Sequence, residues 1–127
     1  MPIVRIDIQA GKSTAYKRAI LHGVRTAVTK ALGVGDDRVT QRLIETPAED
    51  IDSSGVRSDR LTIVEISMLP GRDAGMKRAL YREVVRGLGF EPGIAEHDIV
   101  VIVNDPAEES FCVGGVTAGT KVVDSEE

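Results

Sequence analysis

The sequence predicts an α/β (α+β) fold in which two tandem β-α-β repeats build one four-stranded sheet with both helices on a single face. Two observations predict it. A shift of 60 positions lays the chain onto itself, and each copy passes from a short Ile/Val run to a helical spacing of apolar residues. Ile3, Val4 and Ile6 meet Ile63, Val64 and Ile66, Gly11 meets Gly71, Lys17-Arg18-Ala19 meets Lys77-Arg78-Ala79, and Val24 meets Val84. Eight of the 23 positions from Pro2 to Val24 are identical, in the register of a strand, a turn and a helix.

The elements follow in chain order. Residues 3–8 are rich in Ile and Val, as a buried strand requires. Gly11-Lys12-Ser13 turns the chain, and Ser13 is placed to cap a helix. Tyr16, Ile20, Val24, Val28 and Leu32 then recur every four residues, an amphipathic helix ended at Gly33. A second strand is expected over Arg38–Glu45. Thr46–Arg60, with Pro47, Ser53-Ser54-Gly55 and several acids, reads as a surface connector. The second copy repeats the series. Residues 62–69 form the strand, Gly71-Arg72-Asp73 the capped turn, Met76, Leu80, Val84 and Leu88 the helix stripe with Gly89 at its end, and Asp98–Asn104 the last strand. One domain over 1–121 is expected: repeat one at 2–46, connector at 47–60 and repeat two at 61–121. Residues 122–127 make an acidic, frayed tail. The strands look apolar on both sides, so helices on one face leave the other bare and self-association is expected to cover it.

Composition narrows the function. The net charge is −4, with no basic run and only two Tyr and two Phe as aromatics, so a nucleic-acid partner is not expected. Cys112 stands alone, which excludes an intrachain disulfide and favours a reducing compartment. Arg5 and Asp7 interrupt any signal-like run at the start, and no stretch nears the roughly 20 apolar residues of a membrane span. A cytoplasmic protein with no membrane partner is the expectation. His22 and His97 lack metal-ligand company, so neither a metal nor another cofactor is expected. Cys112, with no histidine at motif spacing, reads as a packed residue rather than a nucleophile.

Three segments together resemble the tautomerase superfamily: the start Met-Pro-Ile-Val-Arg-Ile-Asp-Ile, the Gly-Lys and Gly-Arg turns, and Phe111-Cys112-Val113-Gly114-Gly115. The last is similar to a Phe-Gly-Ile-Gly-Gly segment of the 4-oxalocrotonate tautomerase group. The length and Asp37-Arg38 look like the malonate semialdehyde decarboxylase branch. The resemblance runs to about Lys121 and implies a tautomerase/MIF-like fold and a homotrimer.

It also implies a chemistry. Removal of Met1 would leave Pro2 as a secondary amine at the chain end. An α-amine titrates at about 7.7–8.0, and burial or nearby cations lower it, which suits a proton-transferring group. The bland alternative is a proline merely tolerated after Met1. Thr62, its repeat mate, lies inside the chain, so one such amine is available per subunit. Arg72 is the candidate to grip a substrate carboxylate with two parallel hydrogen bonds; otherwise it is a solvated arginine at a helix start. Lys12, its mate, reads as structural. Asp37 corresponds to an acid that handles water or positions the proline, with Asp36 competing for that role and a plain loop aspartate the alternative. Arg38 and Arg42 are candidates for a second, substrate-binding cation or are surface charges. Phe111 is an apolar wall of the substrate site, or packing in a C-terminal hairpin.

The decarboxylase branch places two arginines around the turn that here reads Leu69-Pro70-Gly71-Arg72, and a tryptophan near Glu109; this chain has one arginine there and no tryptophan. The implied function is thus an enol–keto tautomerase, an isomerase without a cofactor, acting on a small 2-oxo or enol carboxylate. The alternatives are malonate semialdehyde decarboxylase- or hydratase-like chemistry on a small oxo acid, and a non-enzymatic ferredoxin-like small-molecule-binding module.

Overall fold

The computed structural model describes residues 1–124. Its main sheet has four strands, β1 (Ile3–Gln9), β2 (Thr40–Thr46), β3 (Thr62–Ser67) and β4 (Ile99–Asn104), in the order β2-β1-β3-β4. Helices α1 (Thr14–Leu32) and α2 (Ala74–Phe90) connect the strands within each half. A small hairpin of β5 (Val116–Thr117) and β6 (Thr120–Lys121) follows.

Within each half the strands are parallel neighbours, and the halves meet where β1 runs antiparallel to β3. The repeat is obeyed in register: Ile3 faces Thr40 as Ile63 faces Val100. A ferredoxin-like module splits each β-α-β unit around an inserted strand. Here both units are unsplit, so that alternative is set aside.

Alternation along the strands sends Val4, Ile6 and Ile8, with Val64, Ile66 and Met68, under the helices. Ile20, Val24, Val28 and Leu32 of α1 and Leu80, Val84 and Leu88 of α2 close over them. Met76 stands partly exposed at the start of its stripe. The helices cross at Gly23 and Gly87, where a Cβ on Gly87 would lie 3.6 Å from the Gly23 carbonyl oxygen. Ser13 and Asp73 cap their helices, accepting hydrogen bonds from the Tyr16 and Met76 amides at 3.1 and 2.9 Å.

Several boundaries differ from the sequence expectation. β2 begins at Thr40 and β4 at Ile99, because Asp36–Arg38 and Glu96–Asp98 are single 3₁₀ turns that set each chain down onto the sheet. Gly33 ends α1 in the left-handed conformation (φ 66°), but α2 continues past Gly89 to Phe90 and is closed at Glu91. The connector contains a 3₁₀ turn at Ala48–Asp50, whose image 60 positions on is the turn Glu108–Ser110. The frayed end expected over 122–127 falls, for 125–127, outside the described residues.

The face away from the helices is not simply apolar. Ile3, Ile44, Ile63, Val100 and Ile102 share it with Arg5, Asp7, Arg42 and Glu65, and Arg5 lies directly between Arg42 and Glu65 in the register. Ile and Val dominate the strand composition, so the sequence predicts apolar residues on both sides. The charges sit at alternate positions of β1, β2 and β3 and so fall together on one face. Among the described residues, no helix is long and apolar enough to cross a membrane.

Candidate functional site

Antiparallel pairing of β1 with β3, and parallel pairing within each half, bring four chain segments to one end of the sheet. These are the start of β1, the start of β2, the end of β3 and the end of β4. Pro2 therefore lies beside the segments that follow β3 and precede β2. It is buried, and its carbonyl oxygen accepts a hydrogen bond from the Thr40 amide at 3.2 Å. The Met1 ammonium donates to the Arg38 carbonyl oxygen at 2.9 Å. The 3₁₀ turn that shortens β2 thus aims a carbonyl at the chain terminus.

A cavity of about 190 Å³ opens at this end, lined by Met1, Leu69, Glu108, Phe111 and the hairpin residues Val113, Val116, Ala118 and Gly119. Phe111 is half-buried in the wall. Gly114 and Gly115 have φ of 61° and 80° and turn the chain back, so that Val113 and Val116 exchange backbone hydrogen bonds of 2.9 and 3.1 Å. A C-terminal hairpin and the segment containing Val113 are in the sequence reading, but Val116 and the part that Val113 takes in the lining are not; the signal for them was the Gly-Gly turn after Phe111. Cys112 is exposed, not packed as expected. It alternates with Phe111 and Val113, and those two take the inward positions.

Of the candidate residues Phe111 alone is in this lining; Pro2 lies next to the lining residue Met1, and Arg72, Asp36, Asp37, Arg38 and Arg42 are outside it. Arg72 is half-buried, three residues beyond Leu69 and next to the cap of α2. Asp36, Asp37 and Arg38 form the exposed 3₁₀ turn before β2. The carbonyl of Asp36 accepts from the Arg25 guanidinium at 2.7 Å, which ties that turn to α1. Arg42 belongs to β2 on the open sheet face and is not in the lining.

The opposite end of the sheet carries the repeat image of this site. A cavity of about 220 Å³ is lined there by Asp7, Ile8, Thr46, Asp50, Ile51, Leu61 and Ile63. Leu61 stands at the image of Met1 and Ile51 at the image of Phe111. Thr62, the image of Pro2, is fully buried and its hydroxyl donates to the Arg60 carbonyl at 2.9 Å. Lys12, the image of Arg72, donates to the Asp59 carbonyl at 2.8 Å and so clamps the connector. The Arg60 guanidinium lies 5.4 Å from the Tyr16 ring centre. Burial, opposed by Arg60, pushes the Tyr16 phenol up. Met1 and Pro2 stand at the first end, where the image end has Leu61 and Thr62 within the chain.

Comparison with known proteins agrees with this architecture. The chain is 19% identical to the probable tautomerase YusQ of Bacillus subtilis (strain 168), over 90% of this chain and 94% of the relative. Among solved structures it is similar to a malonate semialdehyde decarboxylase inhibited by 3-bromopropiolate, at 23% identity and a TM-score of 0.79, covering 88% of each chain. It is also similar to a fused 4-OT that forms an asymmetric trimer, at 22% identity and a TM-score of 0.82, over 91% of this chain and 95% of the other. A family model described as a tautomerase enzyme (Tautomerase_2) matches residues 41–114, more than half of the chain from β2 through Phe111. The protein is a member of that tautomerase family.

Proposed function

We propose that the protein is an enol–keto tautomerase acting on a small 2-oxo or enol carboxylate, with Pro2 as the group that moves the proton once Met1 is removed. The observation that carries this reading is the position of Pro2: it directly precedes β1 and follows Met1, which lines the Phe111 cavity at that end of the sheet. In the step, the amine takes the enol hydroxyl proton as the carbonyl forms, then returns a proton to the neighbouring carbon. Bonds and charges balance without a cofactor.

The surroundings support each part. Phe111 and Leu69 present apolar surface that keeps water from the amine. The Arg38 carbonyl, which here accepts from the Met1 ammonium, offers the same acceptor to a protonated proline. Arg72 is the cation for the carboxylate, with Arg38 as a second one at the mouth, and Asp37 positions the amine or a water. The open sheet face and the trimeric 4-OT structures support a homotrimer as the working form.

A second reading, hydration or decarboxylation of a small oxo acid, is favoured by Asp37. It sits in the turn whose next carbonyl meets the chain terminus. Release of carbon dioxide from a 3-oxo acid distinguishes it from tautomerisation.

The test is intact mass followed by ketonisation of phenylenolpyruvate. Untagged protein is expected to be lighter by one methionine. Pro2→Ala is expected to lower kcat by roughly 100-fold or more, the usual weight of a positioned acid–base group. Retained Met1, or unchanged turnover in the variant, overturns the reading.

A further inference from the structure

We infer that the cavity at the Pro2 end selects acids with one carboxylate and an apolar tail, and that Glu108 is the residue that rejects a second carboxylate. This rests on the reading of that end as the substrate site, and it adds what the substrate carries beyond its reacting end.

The lining divides by chemistry. Leu69, Phe111, Val113, Val116 and Ala118 make an apolar wall, and Glu108 is the one charged side chain in it. The cations Arg72 and Arg38 lie outside the lining, at the ends of segments that enter from β3 and β2. A substrate whose carboxylate turns toward those arginines therefore points its other end at the hairpin.

The hairpin is built to meet an apolar group. Val113 and Val116 are held opposite each other by their paired backbone hydrogen bonds, yet in the free subunit they remain 51% and 39% exposed. Two rigidly placed valines left open over a cavity gain from contact with hydrocarbon. Glu108 occupies the first position of the 3₁₀ turn Glu108–Ser110, directly before Phe111, so its backbone is fixed relative to the wall. The repeat image of that position is Ala48, and the image cavity draws its acids from other positions, Asp7 and Asp50.

A terminal carboxylate on the tail would lose water to the valines and meet the Glu108 charge. At a few ångströms in a water-rich site that repulsion is worth roughly a fivefold loss in affinity.

Calorimetric titration of the processed, full-length protein with two unreactive probes, 3-phenylpropanoate and adipate, reads this selectivity without turnover. The phenyl acid is expected to bind at least about fivefold more tightly. Glu108→Gln is expected to narrow that ratio and Glu108→Lys to reverse it. Equal binding of both probes, no binding of either, or a ratio that neither variant moves overturns the inference, even if Pro2 proves catalytic. The predicted ratios in a protein that ketonises nothing would uphold the selectivity and sink the tautomerase reading instead.

Discussion

Asp98 and Thr62 are the buried polar side chains of the described residues, and they illustrate how single groups hold the end of the sheet where β3 and β4 begin. Burial pushes the Asp98 carboxyl up, but the hydroxyl and amide of Ser58, donating at 2.6 and 2.8 Å, outweigh it together with His97 and Arg57. The net effect holds the carboxyl below its ordinary value. A carboxyl depressed by folding adds stability that is complete above its unfolded value, about 3.9, and is lost as pH falls through the lower folded value. Ser58→Ala should therefore cost about 1–3 kcal/mol near neutral pH by leaving one oxygen of the buried carboxylate without its hydroxyl donor. The gap from the unmodified protein should shrink below about pH 4. Urea midpoints measured across pH at fixed protein concentration check it; a gap that is constant with pH would contradict the Asp98 assignment. Ser58 belongs to the connector, so this bond also pins the loop that precedes β3. The end of the connector is thus fastened from two sides, Lys12 on Asp59 and Ser58 on Asp98.

Each helix is set by a turn whose last residue is its cap, and in the second half that cap adjoins Arg72. Asp73 accepts from the Met76 amide at 2.9 Å. Asp73→Ala should lower stability by about 0.5–2 kcal/mol, read as a fall in the urea midpoint with an unchanged slope. It should also loosen the first turn of α2, so KM for a carboxylate substrate should rise more than kcat falls. An equal loss in both would detach Arg72 from substrate binding. The caps, the helix stripes and the 60-residue register were all legible in sequence, because each depends on residues close along the chain. Phe111 was singled out differently, through the resemblance of its segment to the tautomerase superfamily; the Gly114-Gly115 turn after it was legible locally. The 3₁₀ turns at Asp36–Arg38 and Glu96–Asp98 were not: their last residues, Arg38 and Asp98, were read as strand starts, and only the descent onto the sheet decides otherwise. The roles of Glu108, Val113 and Val116 were hidden for a related reason. Their meeting with Leu69 and Met1 depends on the antiparallel junction of β1 and β3, which joins segments far apart in sequence.

At the scale of the whole molecule, the sheet has one face sealed by helices and one face holding both isoleucines and charges. Ile63 lies on the open face between Asp7 on β1 and Val100 on β4, and Arg5 forms an ion pair with Asp7 at 3.0 Å. A monomer would leave this mixed surface in water; a ring of three copies would bury the isoleucines and let Arg42 and Glu65 find partners across the boundary. Such a face gives a specific partner more readily than a uniformly apolar one, because mismatched charges oppose wrong registers. Sedimentation of the wild-type chain should then give three times its 13.6 kDa mass. Ile63→Glu replaces an apolar side chain worth roughly 1.5–3 kcal/mol on burial with a charge in each copy, and should shift the protein to monomer. The helical core lies on the other face, so far-ultraviolet dichroism should be retained while mass and activity fall together. A wild-type monomer, or an Ile63→Glu trimer with full activity, would mean that the open face is not the surface on which copies meet.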